Sequence, residues 1–342
     1  MARQPDDLST LPKVELHVHL EGTVSAEVAS DLARRHGQDP ATVLELESGG
    51  YPRRYRDFPH FVDTFVATSR QIRDPDDLER VAEAFAQMQD TLGVRYCETT
   101  FTAIRLVDDG WAPADIWRAL ANGFADADVE IRLIIDVVRD MGAHRTQDTI
   151  RLVADADAPI VAFGLTGIEG SVPEGAFRPL RDAADRLGIG LVAHAGETGT
   201  PDNIRAALDD LGADRIGHGV AAATDADLLE RLARDGTVLE VCPSSNVTLG
   251  VVDDLAAHPL PALLAAGVAV TINSDDPPFF ATTLTDELAH AATLANLTRD
   301  DLADLQRTAI DASYAGSDVR ARVHGEIDAW QAGGSDDTGR AS

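Results

Sequence analysis

Short apolar runs rich in β-branched residues alternate along the chain with longer stretches of helical period. Residues 14–19, 94–101, 131–137, 160–165, 190–194, 215–218, 238–241 and 268–272 read as strands. Most are continuously apolar rather than alternating, the pattern of parallel strands covered on both faces. Between them the spacing predicts helices over 78–92, 179–187, 203–211, 225–234 and 260–266, with Gly93, Gly188, Gly212, Gly236 and Gly267 placed as helix stops. Eight strands alternating with helices predict an α/β fold, a (β/α)8 barrel of the TIM type. An open doubly wound sheet would call for a glycine-rich phosphate loop after the first strand. That strand ends instead in His17-Val18-His19. Residues 21–92 are too many for one crossover, so extra helices are expected after strand 1, capping the barrel mouth. No linker or repeat divides the chain. Residues 1–332 are expected to form one barrel domain, and the small polar residues 333–342 a disordered tail.

The composition fits a globular chain with a sizeable core: 342 residues, 44% hydrophobic and 25% charged. No apolar run approaches the ~20 residues that span a bilayer. The first thirteen residues, MARQPDDLSTLPK, lack the apolar stretch of a signal peptide, so a cytoplasmic protein is expected. Acidic residues number 58 against 29 basic ones, a net charge of −29, which excludes nucleic acid and acidic membranes as partners. Lys13 is the sole lysine. Cys97 and Cys242 lie in strand-like segments and read as buried free thiols.

In a barrel enzyme the chemistry sits at the C-terminal ends of the strands, and here those ends are dense in functional groups. Strand 1 ends in His17-Val18-His19, strand 5 in 194–197 (HAGE), strand 6 in 217–219 (GHG) and strand 8 in 274–277 (SDDP). Histidines two apart on a strand share a face, so His17 and His19 form a pair, and His194 makes a third nitrogen. A pair of hydrogen-bonded core histidines is the plainer alternative, and the third His and the paired aspartates weigh against it. Zinc accepts three nitrogens and one oxygen and keeps a position for water, whose pKa it lowers. Asp275 leaves strand 8 beside strand 1 once the barrel closes and is the expected carboxylate ligand. A second metal bridged by a carbamylated lysine is excluded, because Lys13 stands at the start of strand 1. Glu197 beside the metal is a candidate acid. His218, flanked by Gly217 and Gly219, is a candidate base, and Asp276 is placed to orient substrate.

The blocks 13–22 (KVELHVHLEG), 194–197 (HAGE), 215–219 (RIGHG), 241–246 (VCPSSN) and 273–277 (NSDDP) together resemble the signature blocks of the adenosine deaminase family, in order, over about residues 11–330. The resemblance implies a metal-dependent deaminase barrel with one zinc ion per chain, which hydrolyses the 6-amino group of a small-molecule purine. It implies His17, His19, His194 and Asp275 as zinc ligands, Glu197 as proton donor to purine N1, and His218 as the group that activates water. It implies substrate contacts from Asp276 to N7, from the Gly167 backbone to N3, and from His19 and Glu21. The expected reaction is deamination of an adenosine-type nucleoside to an inosine-type product, with aminodeoxyfutalosine or free adenine as alternative substrates.

Three departures bear on that choice. Glu21 replaces the Asp with which adenosine deaminases meet ribose and is similar to adenine deaminases, yet those often carry Asp at the position of Gly217. The strand-4 block 163–169 (FGLTGIE) differs from the usual Asp-Leu-Ala-Gly. The run 273–278 (NSDDPP) is shared with branches that include aminodeoxyfutalosine deaminases. AMP is expected to be a poor substrate, given the acidic chain and the lack of a phosphate loop. Tyr51, Tyr55, Phe58, Phe61 and Phe65 are either the core of a capping helix or an apolar roof over the purine.

Overall fold

Eight parallel strands pair in chain order: β1 (Lys13–His19), β2 (Val94–Phe101), β3 (Glu130–Val138), β4 (Ile160–Thr166), β5 (Gly190–Ala195), β6 (Arg215–His218), β7 (Val238–Val241) and β8 (Ala269–Ile272). Every strand falls within one residue of its expected bounds. The structure, a computed structural model, describes residues 8–333. Helices between the strands complete a (β/α)8 barrel. All five glycines expected to stop helices have positive φ. The last helix, Ser317–Gly333, includes Gly333; the rest of the expected tail, 334–342, lies outside the described residues. No helix among the described residues is long and apolar enough to cross a membrane.

The barrel closes where β1 meets the chain leaving β8. Asp275 N donates to His17 O at 3.1 Å, and His19 N donates to Asp275 O at 3.0 Å. β1 also carries an extra residue against β2: Glu15 pairs with Cys97 and Val18 with Thr99, so three steps on β1 match two on β2. Such a bulge re-aims the side chains that follow it. Glu15 faces outward to Gln89 on the helix Pro75–Leu92. His17 and His19, beyond the bulge, face the interior.

The expected insertion after β1 contains the helices Ala26–Arg35, Pro40–Val43 and Phe58–Ser69 ahead of Pro75–Leu92. Asp57 caps Phe58–Ser69 by accepting from His60 N, and Asp74 closes a capping box with Asp77 on the longer helix. The aromatic residues of the insertion pack into a second apolar cluster with Phe279 and Phe280, from the short helix Pro277–Phe280 that follows Asp276. Tyr51 stacks on Phe279 at 3.9 Å, and Phe61 sits between Phe279 and Phe280 at 6.0 and 5.3 Å. Tyr51 Oη also donates to Val24 O at 2.9 Å. The insertion is therefore the core of a capping helix, and it ties the exit of β1 to the exit of β8. Phe65 alone of its five aromatics has a ring contact with a site histidine, 6.5 Å from His19. Phe61→Ala should destabilise the protein by about 3–5 kcal/mol, the range for a buried Phe, read as the shift in a urea unfolding transition. A loss under about 1 kcal/mol would show that the cluster does not hold the cap.

Candidate active site

The strand ends bring the expected residues to one point. His19 Nε2 and His194 Nε2 lie 3.1 Å apart, and Asp275 Oδ1 is 3.5 Å from His17 Nε2 and 3.4 Å from His19 Nε2. The ligand atoms of His17, His19, His194 and Asp275 all lie within 4.8 Å of one another. His218 Nε2 is 3.7 Å from Glu197 Oε1 and 3.9 Å from Asp275 Oδ2. Asp275 and His218 both hold φ of +62°. Non-glycine residues reach that region at a cost of order 1–3 kcal/mol each, and usually where function needs it.

Two glycines make room. A Cβ on Gly217 would lie 2.7 Å from His17 Cε1, and one on Gly22 would lie 1.6 Å from Asp276 Oδ1. The crowding expected around His218 is thus real on its Gly217 side. Gly219 instead faces Leu239.

The site fits a zinc ion on three observations. The donor set is three imidazoles and a carboxylate, which suits zinc. His17 Nε2 is buried with no hydrogen-bond partner. Burial opposes charge on His17 and His19, yet Asp275 and Glu240 raise His17 to about 10, and Asp275 with Asp276 raises His19 to about 9. Carboxylates that hold protons on two buried imidazoles demand positive charge, and a divalent cation supplies it in their place. Lys13, at the start of β1, donates to the carbonyls of Leu11 and Leu92, far from any bridging position.

The remaining acids are buried, and one oxygen of Asp276, Oδ1, has no hydrogen-bond partner. Burial, then the charge of Asp275, pushes both the Glu197 and the Asp276 carboxyls well above the usual range. Burial lowers His218 to about 3, so its imidazole is neutral. Glu21 is buried, and Thr102 N donates to its Oε1 at 3.1 Å. Gly167 takes φ +90°, with Arg139 Nη1 donating to its carbonyl at 3.3 Å.

Several groups at the site were not assigned to it from the sequence. Asp136, on β3, is buried with neither oxygen hydrogen-bonded, and its Oδ2 lies 3.9 Å from His19 Nδ1. Arg139 pairs with Glu174 and donates to His194 O at 2.7 Å. Glu169 accepts from the backbone N–H groups of Gly196, Glu197, Thr198 and Gly199 at 2.5–3.2 Å, so it holds the turn that aims Glu197. Cys242, read as a buried thiol, is buried, and its Sγ lies within 4.8 Å of ligand atoms of His17, His218 and Asp275. Only a mid-strand charge such as Asp136, or the polar end of the block 163–169, could have pointed to these residues in the sequence.

A barrel with a His-x-His strand end, a third histidine on β5 and an aspartate at the β8 exit defines a metal-dependent aminohydrolase. The model of the adenosine deaminase family matches residues 12–330, and the chain belongs to that family. It is 37% identical to an aminodeoxyfutalosine deaminase of Streptomyces avermitilis, over 95% of this chain and 92% of the relative. It is also 37% identical to an adenine deaminase of Streptomyces coelicolor, over 97% of this chain and 99% of the relative. The crystal structure of an adenine deaminase from Arthrobacter aurescens superposes with a TM-score of 0.85 at 31% identity, covering 94% of this chain and 99% of that one.

Metal analysis of the purified protein should find one zinc per chain. Chelation, or His17→Ala, should remove both the metal and the activity. Two ions per chain, or activity that survives complete chelation, would contradict a single-ion site built on these four residues.

Proposed function

We propose that the chain hydrolytically deaminates an N9-substituted 6-aminopurine, an aminodeoxyfutalosine-type nucleoside, releasing ammonia. The pairing of Glu197 with His218 beside the ligand quartet supports deamination. Bound zinc would lower the pKa of a water and so supply the nucleophile. His218, neutral in its buried setting, takes the proton from that water. Glu197, kept protonated by burial, donates to the ring nitrogen N1 as C6 becomes tetrahedral, so negative charge does not build up on the ring. Glu169 keeps the Glu197 turn in place. Asp276 is raised in pKa and has a free Oδ1, which suits a hydrogen bond to purine N7. The Gly167 backbone N–H is the candidate contact to purine N3.

The observation that carries the substituted purine is Asp136. Its carboxylate is buried beside His19 with both oxygens unpaired. A buried acceptor without a donor costs free energy, and hydroxyl groups on the N9 substituent supply donors there. The net charge of −29 and the lack of a glycine-rich phosphate loop also disfavour a phosphate group. The second reading is free adenine. It is favoured by Glu21, whose carboxylate is already engaged by Thr102 N, and by the adenine deaminases among the relatives.

Specificity constants for aminodeoxyfutalosine, adenosine, deoxyadenosine, adenine and AMP, measured side by side, decide between them. The substituted nucleosides should lead and AMP should trail. A preference for free adenine by about a hundredfold, roughly 2.7 kcal/mol of transition-state binding, would sink the N9-substituted reading.

Glu197→Gln keeps the shape but cannot donate an acid proton. It should lower kcat by about 10²–10⁴-fold with zinc retained. Near-normal turnover would move the reaction to a C–N bond that needs no N1 donor.

A further inference from the structure

Below the ligand quartet, four buried ionisable groups form one hydrogen-bonded series through the barrel. His17 Nδ1 lies 2.8 Å from Glu240 Oε2 on β7. Arg215 Nε on β6 donates to Glu240 Oε1 at 2.6 Å, and its Nη2 donates to Glu98 Oε2 on β2 at 2.5 Å. β6 and β2 are not neighbours in the sheet, so this second bond crosses the barrel interior. Glu98 Oε1 accepts from Tyr96 Oη at 2.8 Å and from Tyr314 N at 2.6 Å, and Arg215 Nη1 donates to Ala312 O at 2.9 Å. The Arg215 guanidinium also lies over the Tyr314 ring, 4.4 Å from its centroid. The series therefore runs from a candidate zinc ligand to the turn after the helix Arg299–Ala312.

We infer that Glu240, clamped by Arg215, is a positioning residue that fixes the tautomer of His17 for zinc. A carboxylate only accepts hydrogen bonds. Facing Glu240, His17 must carry its proton on Nδ1, which leaves the lone pair on Nε2 free for the metal. Arg215 and Glu98 hold the carboxylate still, and the two acids share the one guanidinium charge. The inference rests on zinc binding at the quartet and is independent of which purine is the substrate.

Glu240→Gln tests it, because the side-chain amide has one acceptor and one donor while both of its neighbours donate. Arg215 is permanently charged and takes the amide oxygen. The amide NH₂ then faces His17 Nδ1 and drives the ring proton to Nε2, where it competes with zinc. Zinc affinity, measured by competition with a chromophoric chelator, should fall about 10- to 100-fold. KM for substrate in the zinc-saturated variant should stay near wild type. In zinc-loaded wild-type protein, NMR should show a downfield, slowly exchanging imidazole N–H proton from His17 that the variant lacks. A lower melting temperature of the metal-free variant with unchanged zinc affinity would reduce Glu240 to a structural role and overturn the inference. So would the absence of that N–H resonance from wild type, a reading that does not depend on the variant folding. Wild-type protein that binds no zinc would instead sink the function proposed above.

Discussion

Barrel closure and assembly of the site depend on one contact. Asp275 forms the seam between β8 and β1 by hydrogen-bonding the backbones of both His17 and His19, and its carboxylate is the one that joins those histidines around the metal position. A residue in extended conformation could not do both. Asp275 instead takes a left-handed backbone, which turns its carboxylate into the barrel. The bulge in β1 makes the matching adjustment on the other side, turning two histidines inward after an outward-facing Glu15. The seam is held further by the insertion, whose aromatic residues pack on Phe279 and Phe280 just beyond Asp276.

The interior of this barrel is unusually charged, and its charges fall into two kinds. Glu98, Arg215 and Glu240 satisfy one another. Removing one member of such a set leaves another buried and uncompensated, which is strongly destabilising. Asp136 and one oxygen of Asp276 have no partner, and Glu197 is pushed toward its neutral form by burial and by the carboxylates near it. Fold stability alone would not retain such groups, because each costs desolvation free energy. Asp136 lies 3.9 Å from His19 and Glu197 3.7 Å from His218, beside the candidate ligand quartet, which is where the proposed function places the substrate.

Much of this was legible in the sequence. Continuously apolar runs separated by helix-stop glycines placed all eight strands, since parallel strands under helices are buried on both faces. The spacing of His17 and His19 put both on one face, and the HAGE, GHG and SDDP strand ends named His194, Glu197, His218, Asp275 and Asp276. Glu21 was named too, and one of its carboxylate oxygens accepts from Thr102 N at the exit of β2. The aromatic segment was open between core and roof, and packing made it chiefly core.

The sequence by itself determined which elements form and which side chains line the mouth, because strand period and helix stops act over a few residues. Only the tertiary structure decided what those side chains do to one another. The Glu98–Arg215–Glu240–His17 series joins residues far apart in the chain. The left-handed turns at His218 and Asp275, and the lone carboxylate of Asp136, likewise have no local signature. A single charged residue within an apolar strand reads the same whether it points out to solvent or into a barrel. Its meaning is fixed by closure, which brings distant strands within hydrogen-bonding distance and excludes the water that would otherwise screen them.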